Sequence, residues 1–333
     1  VAASRLLSVL TSEPDGPVVR HRWLAFGPRL AAAGIHLDVV PWPKDPARRE
    51  DALRRVTTAD GVVVSRRLLP RPLWRDLRRR ARRLAYDFDD AVPYRDTFAG
   101  AGLSRTRWRR FRRMVAGADR VLAGNSHLAD LAGRAGRQAA VVPTVVDVPD
   151  GSPTPEPADG VPVVGWIGSA STLPYLEARA AELSAVMASG HHFRMRVIAD
   201  VPPSLPPGIA VDFVPWTPDG WQAALEATHL GIAPLPDDAW TRGKCGLKVL
   251  QMLATGRPVV ASAVGVQREQ VRHGATGYLA GTPETLVEGL LRLLDDPAAR
   301  RRMGAAARAD ARARWSLEAW GPRVLDQVEK LLA

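Results

Sequence analysis

One cysteine, Cys245, stands in a chain of 333 residues. That excludes an internal disulfide framework and fits a reducing, cytoplasmic setting. Lysine is almost missing: Lys44, Lys244, Lys248 and Lys330 are four among 46 basic residues. No apolar run approaches the roughly 18 residues that a bilayer span needs. No charged segment followed by a long apolar stretch opens the chain, so a secretory signal is not expected. The pair His191-His192 has no further His or Cys at ligand spacing, which argues against a zinc site and for a surface loop.

What the chain has in excess is arginine, unevenly placed. Residues 1–150 hold 28 Arg/Lys and 16 Asp/Glu, while residues 151–333 hold 18 and 19. A GC-rich genome also favours arginine, but its concentration in one half points to an anionic surface or substrate. Two segments are especially dense in it. Over 72–84, Trp74, Leu77 and Ala81 share a side, with Arg75, Arg78, Arg79, Arg82 and Arg83 around them. Over 105–115, Trp108, Phe111 and Met114 recur at helical spacing among Arg107, Arg109, Arg110, Arg112 and Arg113. Each reads either as a packed surface helix or as a basic amphipathic helix lying on an anionic membrane.

Short apolar runs alternate with helical patterns throughout. Leu6–Leu10, Ile35–Val40, Gly61–Ser65, Leu84–Phe88, Asp119–Ala123 and Ala140–Asp147 read as strands; Trp23–Ala33 and Ala47–Thr57 read as helices between them. This rhythm predicts a parallel sheet with helices on both faces. Ligands then meet the loops at the strand C-terminal ends, which makes the loop Thr11–Pro17, with Gly16, an acceptor-side element. Ser126 is positioned to cap the helix after Asn125. Residues 151–162 are rich in proline and acid and read as a linker. A second alternating unit follows. Its first strand, Val163–Ile167, leads into Gly168-Ser169-Ala170-Ser171-Thr172 and a helix over Leu173–Met187, a strand–loop–helix able to cradle phosphate on N–H and hydroxyl groups. Trp216, after a later strand, is placed either to stack on a base or to pack in the core.

The segment Leu84–Asp90 runs into Asp87, Asp89 and Asp90 at a strand end. A hard cation would need further oxygen ligands that the sequence does not offer, so no metal is expected. Asp87 is the buried, structural member by position; Asp89 and Asp90 are the ones placed to orient a hydroxyl.

The most informative stretch is Arg242-Gly243-Lys244-Cys245-Gly246-Leu247-Lys248-Val249-Leu250-Gln251-Met252-Leu253-Ala254, followed by Thr255-Gly256-Arg257-Pro258-Val259-Val260-Ala261-Ser262-Ala263-Val264-Gly265. It predicts a loop, a helix starting near Gly246, a stop at Gly256 and a buried strand. A helix start offers free N–H groups and a positive dipole end to phosphate, with Lys244 and Lys248 beside it. The stretch, with Glu269, His273-Gly274 and Gly277-Tyr278-Leu279, resembles the donor-site segment of GT-B glycosyltransferases of retaining family four, glycosyl transferases group 1, in a branch that carries Gly-Lys-Cys.

The resemblance implies an α/β protein with two Rossmann-like domains facing each other across a cleft. The boundaries expected are 1–150 for an acceptor domain, 151–162 for the linker, 163–315 for a donor domain and 316–333 for a last helix crossing back to the first domain. It implies transfer of a sugar from a nucleotide diphosphate sugar to an unidentified acceptor, with retention and without metal. The donor-binding positions would be Gly168, Ser169, Thr172, Trp216, Gly243, Lys244, Cys245, Gly246, Lys248 and Gln251. Asp89, Asp90 and Lys244 would be catalytic, and Gly16 and Asn125 would lie on the acceptor side. Nucleic acid is not an expected partner; the setting would be cytoplasmic, with peripheral contact at the inner face of a membrane left open.

Two departures qualify the resemblance. Most retaining members place a Glu, seven residues and a second Glu over this helix, where this chain has Gly243 and Gln251. An Arg and a Lys that clamp the diphosphate in many members are here Ser and Thr, which leaves Lys244 and Lys248 to supply the charge. The Gly-Lys-Cys branch shares these departures. A sugar-nucleotide-binding pseudoenzyme, a nucleic-acid-binding protein using the basic half, and a nucleotide-sugar epimerase are the rival readings.

Overall fold

The computed structural model describes residues 4–151, 154–157 and 160–333. The chain divides into two units. One holds the residues up to Val145 together with Asp238–Cys245 and Leu317–Ala333; the other holds Val146–Asp237 and Gly246–Ser316. Of the linker expected at 151–162, residues 152, 153, 158 and 159 lie outside the described residues. Thr154 and Glu156 are tied to the second unit by Arg257, which donates to the Thr154 carbonyl at 2.9 Å, and by Arg300, which donates to Glu156 at 3.3 Å.

The first unit contains β1 (Arg5–Thr11), β2 (Ile35–Pro41), β3 (Gly61–Ser65), β4 (Leu84–Phe88), β5 (Arg120–Ala123) and β6 (Ala140–Val141). They form one parallel sheet in the order β2-β1-β3-β4-β5-β6. β3 and β4 are buried along their whole length, which is why both read as unbroken apolar runs. The order reverses between β1 and β3, so the loops after those two strands part and leave a crevice. The helix Leu317–Leu332 packs Val324, Val328 and Leu331 with Leu7 and Val9 in this unit's core.

The second unit contains β7 (Val163–Ile167), β8 (Arg194–Ala199), β9 (Ala210–Pro215), β10 (Leu230–Ala233), β11 (Val259–Ser262) and β12 (Gly277–Ala280), in the parallel order β12-β11-β10-β7-β8-β9. Its reversal falls between β7 and β10, so the Gly168–Thr172 loop stands at the switch point. Thr282 caps the helix Pro283–Asp295 with a capping box and Pro at its start.

Several boundaries differ from the sequence reading. The basic helix expected over 72–84 is Arg71–Arg80, because Leu84 is claimed by β4, where it pairs with Val62. The second basic helix runs Arg105–Gly117. The helix expected over Trp23–Ala33 is broken into Pro17–Arg22, a short turn and Gly27–Ala32, the last with Pro28 in its first turn. The helix expected over Leu173–Met187 is likewise two pieces, Leu173–Glu177 and Ala180–Ala188. Of the strand expected over Ala140–Asp147 only Ala140–Val141 joins the sheet.

Candidate functional site

In the first unit the three carboxylates at the end of β4 divide between two arginines. Asp87 is fully buried and paired with the buried Arg22, whose Nε is 3.3 Å from Oδ2; Trp23 Nε1 donates to the same oxygen at 3.1 Å. It is a structural ion pair inside the core. Asp89 and Asp90, largely buried, share the guanidinium of Arg66: Nε lies 3.3 Å from Asp89 Oδ1, and Nη2 bonds Asp90 Oδ2. Burial raises the Asp89 carboxyl to about 6, with Arg66 opposing and Asp90 adding to the rise. Asp90 also meets Lys244, whose Nζ is 3.7 Å from Oδ1 and 5.0 Å from the centre of the Trp240 ring. Arg66, Asp90 and Lys244 therefore form an alternating row of charge.

Arg66 was missed by sequence reasoning. Its backbone lies at φ +59, a region that costs a non-glycine residue energy. The fold holds it there through its own N–H, which donates to the Asp87 carbonyl at 2.7 Å, and through Tyr86 Oη, which donates to its carbonyl at 3.3 Å. The available signal was position: Arg66 directly follows the apolar strand β3, where ligand-facing side chains gather.

Asp238–Cys245 belongs to this unit because it is built into it. Asp238 accepts from the N–H groups of Trp240 and Thr241, each at 2.8 Å, and from Thr97 Oγ1 at 2.7 Å. Asn125 donates from Nδ2 to the carbonyls of Gly243 and Lys244, each at 3.2 Å. A Cβ on Gly243 would stand 2.6 Å from Ala91 Cβ and 2.7 Å from Ala91 N, so no side chain fits where many relatives of the resembled family carry Glu. Cys245 donates its thiol to the Asp89 carbonyl at 3.2 Å. Burial, and next the Asp89 charge, push that thiol above its ordinary range, so it is a neutral structural donor and not a nucleophile.

Two sequence readings change here. The cap of the helix Ser126–Arg134 is Asn125, not Ser126: Asn125 has extended backbone and its Oδ1 accepts from Leu128 N at 2.9 Å. Asn125 is also buried, at 3 % exposure, and spends its side chain on the 243–245 segment. Gly16 caps Pro17–Arg22 in the loop after β1. Ser12 and Glu13 of that loop, with Arg66, Arg67, Arg107, Arg110 and Trp240, line a cavity of about 400 Å³.

In the second unit the structure brings Gly168, Thr172 and Lys248 together around Trp166. A Cβ on Gly168 would meet the Trp166 ring at 2.4 Å and Thr172 Oγ1 at 2.6 Å. Lys248 Nζ lies 4.3 Å from the centre of that ring. Four of the loop's N–H groups are already engaged: Gly168 donates to Ile198 O at 3.0 Å, Ser169 to Thr172 Oγ1 at 3.1 Å, Ala170 to the Asp200 carboxylate at 2.5 Å, and Thr172 to Ser169 O at 2.9 Å. Asp200 stands where the sequence reading expects an anion to be received. Gly246, at φ +65, starts the helix Leu247–Ala254, and a Cβ there would strike Gln270 Oε1 at 2.1 Å. Gln251 is buried within this helix at 6 % exposure. Trp216 packs beside the core after β9, two strands from the Gly168 loop. A smaller cavity of about 190 Å³ at the ends of β10, β11 and β12, lined by Arg179, Ser262, Arg268 and Thr282 among others, contains none of the expected donor-binding residues.

Among the described residues no three His, Cys, Asp or Glu side chains group as metal ligands, and no helix is long and apolar enough to cross a membrane. Two parallel, doubly wound units in these strand orders define the GT-B architecture of glycosyltransferases. Residues 162–296, less than half of the chain, match the family described as glycosyl transferases group 1.

The curated relatives match in part. A stretch of 80 residues is 40% identical to the GDP-mannose-dependent monoacylated alpha-(1-6)-phosphatidylinositol monomannoside mannosyltransferase of Corynebacterium glutamicum, covering 24% of this chain and 21% of that one. A stretch of 125 residues is 34% identical to the D-inositol 3-phosphate glycosyltransferase of Thermobispora bispora, covering 37% and 26%. The matches thus span about a quarter of these relatives' length. The fold is shared with the sucrose-phosphate synthase from Thermosynechococcus elongatus, with TM-score 0.74, 19% identity and coverage of 98% and 99%. It is also shared with HepE from Anabaena in complex with UDP and glucose, with TM-score 0.66, 17% identity and coverage of 98% and 100%.

Proposed function

We propose that the protein is a glycosyltransferase that moves a sugar from a nucleotide diphosphate sugar to an acceptor hydroxyl, with retention and without metal. The observation that carries this is the glycosyl transferases group 1 match over 162–296, which contains the Gly168–Thr172 loop at the switch point and the helix that starts at Gly246. UDP and glucose in the HepE structure support a nucleotide sugar as donor. In this reading the loop and helix start receive the diphosphate, and Lys244 and Lys248 supply positive charge to the leaving group. Asp90, an acceptor of hydrogen bonds held between Arg66 and Lys244, orients a hydroxyl, and Asp89 is able to carry a proton near neutrality. Metal independence is favoured because the carboxylates are already paired with cations of the chain: Asp87 with Arg22, Asp89 and Asp90 with Arg66, and Asp90 also with Lys244. Retention is carried over from the resemblance.

The basic helices support association with an anionic membrane face. Arg113 is held below the ordinary arginine range by burial and by the like charges of Arg71, Arg75 and Arg110. Among the described residues none of these four has a carboxylate at ion-pair distance. A cytoplasmic protein touching the inner leaflet would meet that need.

Thermal stabilisation by UDP, GDP and ADP and their sugars, with Lys244→Ala beside the wild type, tests the donor reading. A shift for one diphosphate nucleotide that Lys244→Ala loses is expected. No shift with any of them would sink the assignment.

A further inference from the structure

The cavity of about 400 Å³ in the first unit lies where the loops after β1 and β3 part, the place where open α/β sheets take ligands. Four guanidinium groups line it, from Arg66, Arg67, Arg107 and Arg110, against one carboxylate, Glu13. Arg66 is committed to Asp89 and Asp90. The other three are not: among the described residues none has a carboxylate at ion-pair distance. Arg67 donates to Ser12 Oγ at 2.8 Å and lies over the Trp42 ring at 5.4 Å. Arg107 donates to the Tyr94 carbonyl at 2.6 Å. Burial, then Arg49, then Arg110 hold Arg67 below the ordinary arginine range. Arg67 and Arg110 are half-buried and Arg107 is exposed; cations that repel one another across a concave wall are relieved by an anion. Three of them suit an oxyanion with more than one charge, and planar guanidinium forks fit phosphate oxygens in pairs.

We propose that this cavity seats a phosphate group of the acceptor, bound by Arg67, Arg107 and Arg110, with the adjoining part of the acceptor against Val92 and Trp240. The proposal rests on the glycosyl-transfer reading and names its acceptor class, a phosphate ester. The phosphate could belong to a soluble sugar phosphate or to a lipid headgroup, and both present the same chemistry to the three arginines.

Binding of glucose 6-phosphate against glucose, and of phosphatidylglycerol vesicles against phosphatidylcholine vesicles, tests it by calorimetry and sedimentation. The phosphate-bearing member of at least one pair is expected to bind, and Arg67→Gln and Arg110→Gln are each expected to weaken it about tenfold. The double change Arg71→Gln/Arg75→Gln should leave the binding of glucose 6-phosphate in place. Binding of glucose 6-phosphate points to a soluble acceptor; binding of vesicles alone, lost in Arg67→Gln, points to a headgroup. Three results overturn the proposal: neither phosphate probe binds, binding is unchanged in both cavity variants, or only Arg71→Gln/Arg75→Gln abolishes it. UDP and GDP binding is measured on the same preparations. If neither nucleotide binds the wild type, the donor reading fails by itself; if a nucleotide binds and the phosphate probes do not, only the acceptor seat fails.

Discussion

Asn125 reaches over 118 residues of sequence to bond the Gly243 carbonyl at 3.2 Å, and takes the Lys244 carbonyl at the same distance. Its Oδ1 is meanwhile spent on the first turn of the helix Ser126–Arg134. One buried amide thus ties the strand-end turn after β5 to the segment that carries Lys244.

Asn125→Ala removes a helix cap and orphans two buried carbonyls, so it should cost about 2–3 kcal/mol in urea unfolding. Asn125→Asp keeps an oxygen for Leu128 N but loses the two donors. It should fall between the wild type and Asn125→Ala. An Asn125→Asp variant as stable as the wild type would mean that the bonds to Gly243 and Lys244 contribute nothing.

Gly243 marks a place where a side chain has no room. Its Cβ would fall 2.6 Å from Ala91 Cβ and 3.0 Å from Leu128 Cδ2. Gly243→Glu should therefore lower stability by about 2 kcal/mol or more through overpacking, without raising sugar-donor affinity. Calorimetric unfolding and donor titration on the same sample check both halves. A stable variant that binds donor more tightly would show that the segment can move aside.

Asp89 carries a pH signature. Its folded value is raised from 3.8 to about 6, so between those values the native state binds more protons than the unfolded chain. The stability it contributes is complete below that window and is lost as pH rises through it. Asp89→Asn mimics the protonated form. Relative to the wild type it should gain roughly 2–3 kcal/mol on passing from below the window to above it. Urea midpoints of both proteins at the two ends of the window give the difference. A difference that does not change with pH would place the Asp89 carboxyl at its ordinary value.

The strands were legible because both sheets are parallel and covered on two faces, so Val62-Val63-Val64 and Val259-Val260-Ala261 had to be apolar throughout. Gly246 was legible for a related reason: the helix start needs a left-handed residue and leaves no room for a side chain beside Gln270. Arg66 was not, since an arginine among so many gives no sign of partners lying 24 residues away. The capping choice between Asn125 and Ser126 was also hidden, because both types cap and only the extended backbone at Asn125 decides. The helix after Pro70 reads as continuing to Leu84 because its arginine-rich period does continue; pairing of Leu84 with Val62 ends it. The place of Asp238–Cys245 in the first unit rests on the close fit of Gly243 to Ala91, a packing relation that no periodicity records.

Asp200 poses the sharpest question about the second unit. Its carboxylate takes the Ala170 N–H at 2.5 Å, inside the loop Gly168–Thr172 that the donor reading assigns to a diphosphate. A bound phosphate and this carboxylate would compete for one donor and repel each other. Asp200→Ala frees the N–H and removes the negative charge. Affinity for the nucleotide diphosphate should then rise about fivefold to tenfold, the return expected from one charge-assisted hydrogen bond no longer contested. If Asp200 instead serves to hold the loop in its receptive shape, the same change lowers affinity, and Asp200→Asn, which keeps an acceptor oxygen for Ala170 N–H without the charge, restores it. Calorimetric titration of the three proteins with UDP and GDP separates the two. Tighter binding by both variants assigns Asp200 as a competitor of the phosphate. Weaker binding by Asp200→Ala alone assigns it to loop shape, and equal binding by all three would place the diphosphate away from this loop.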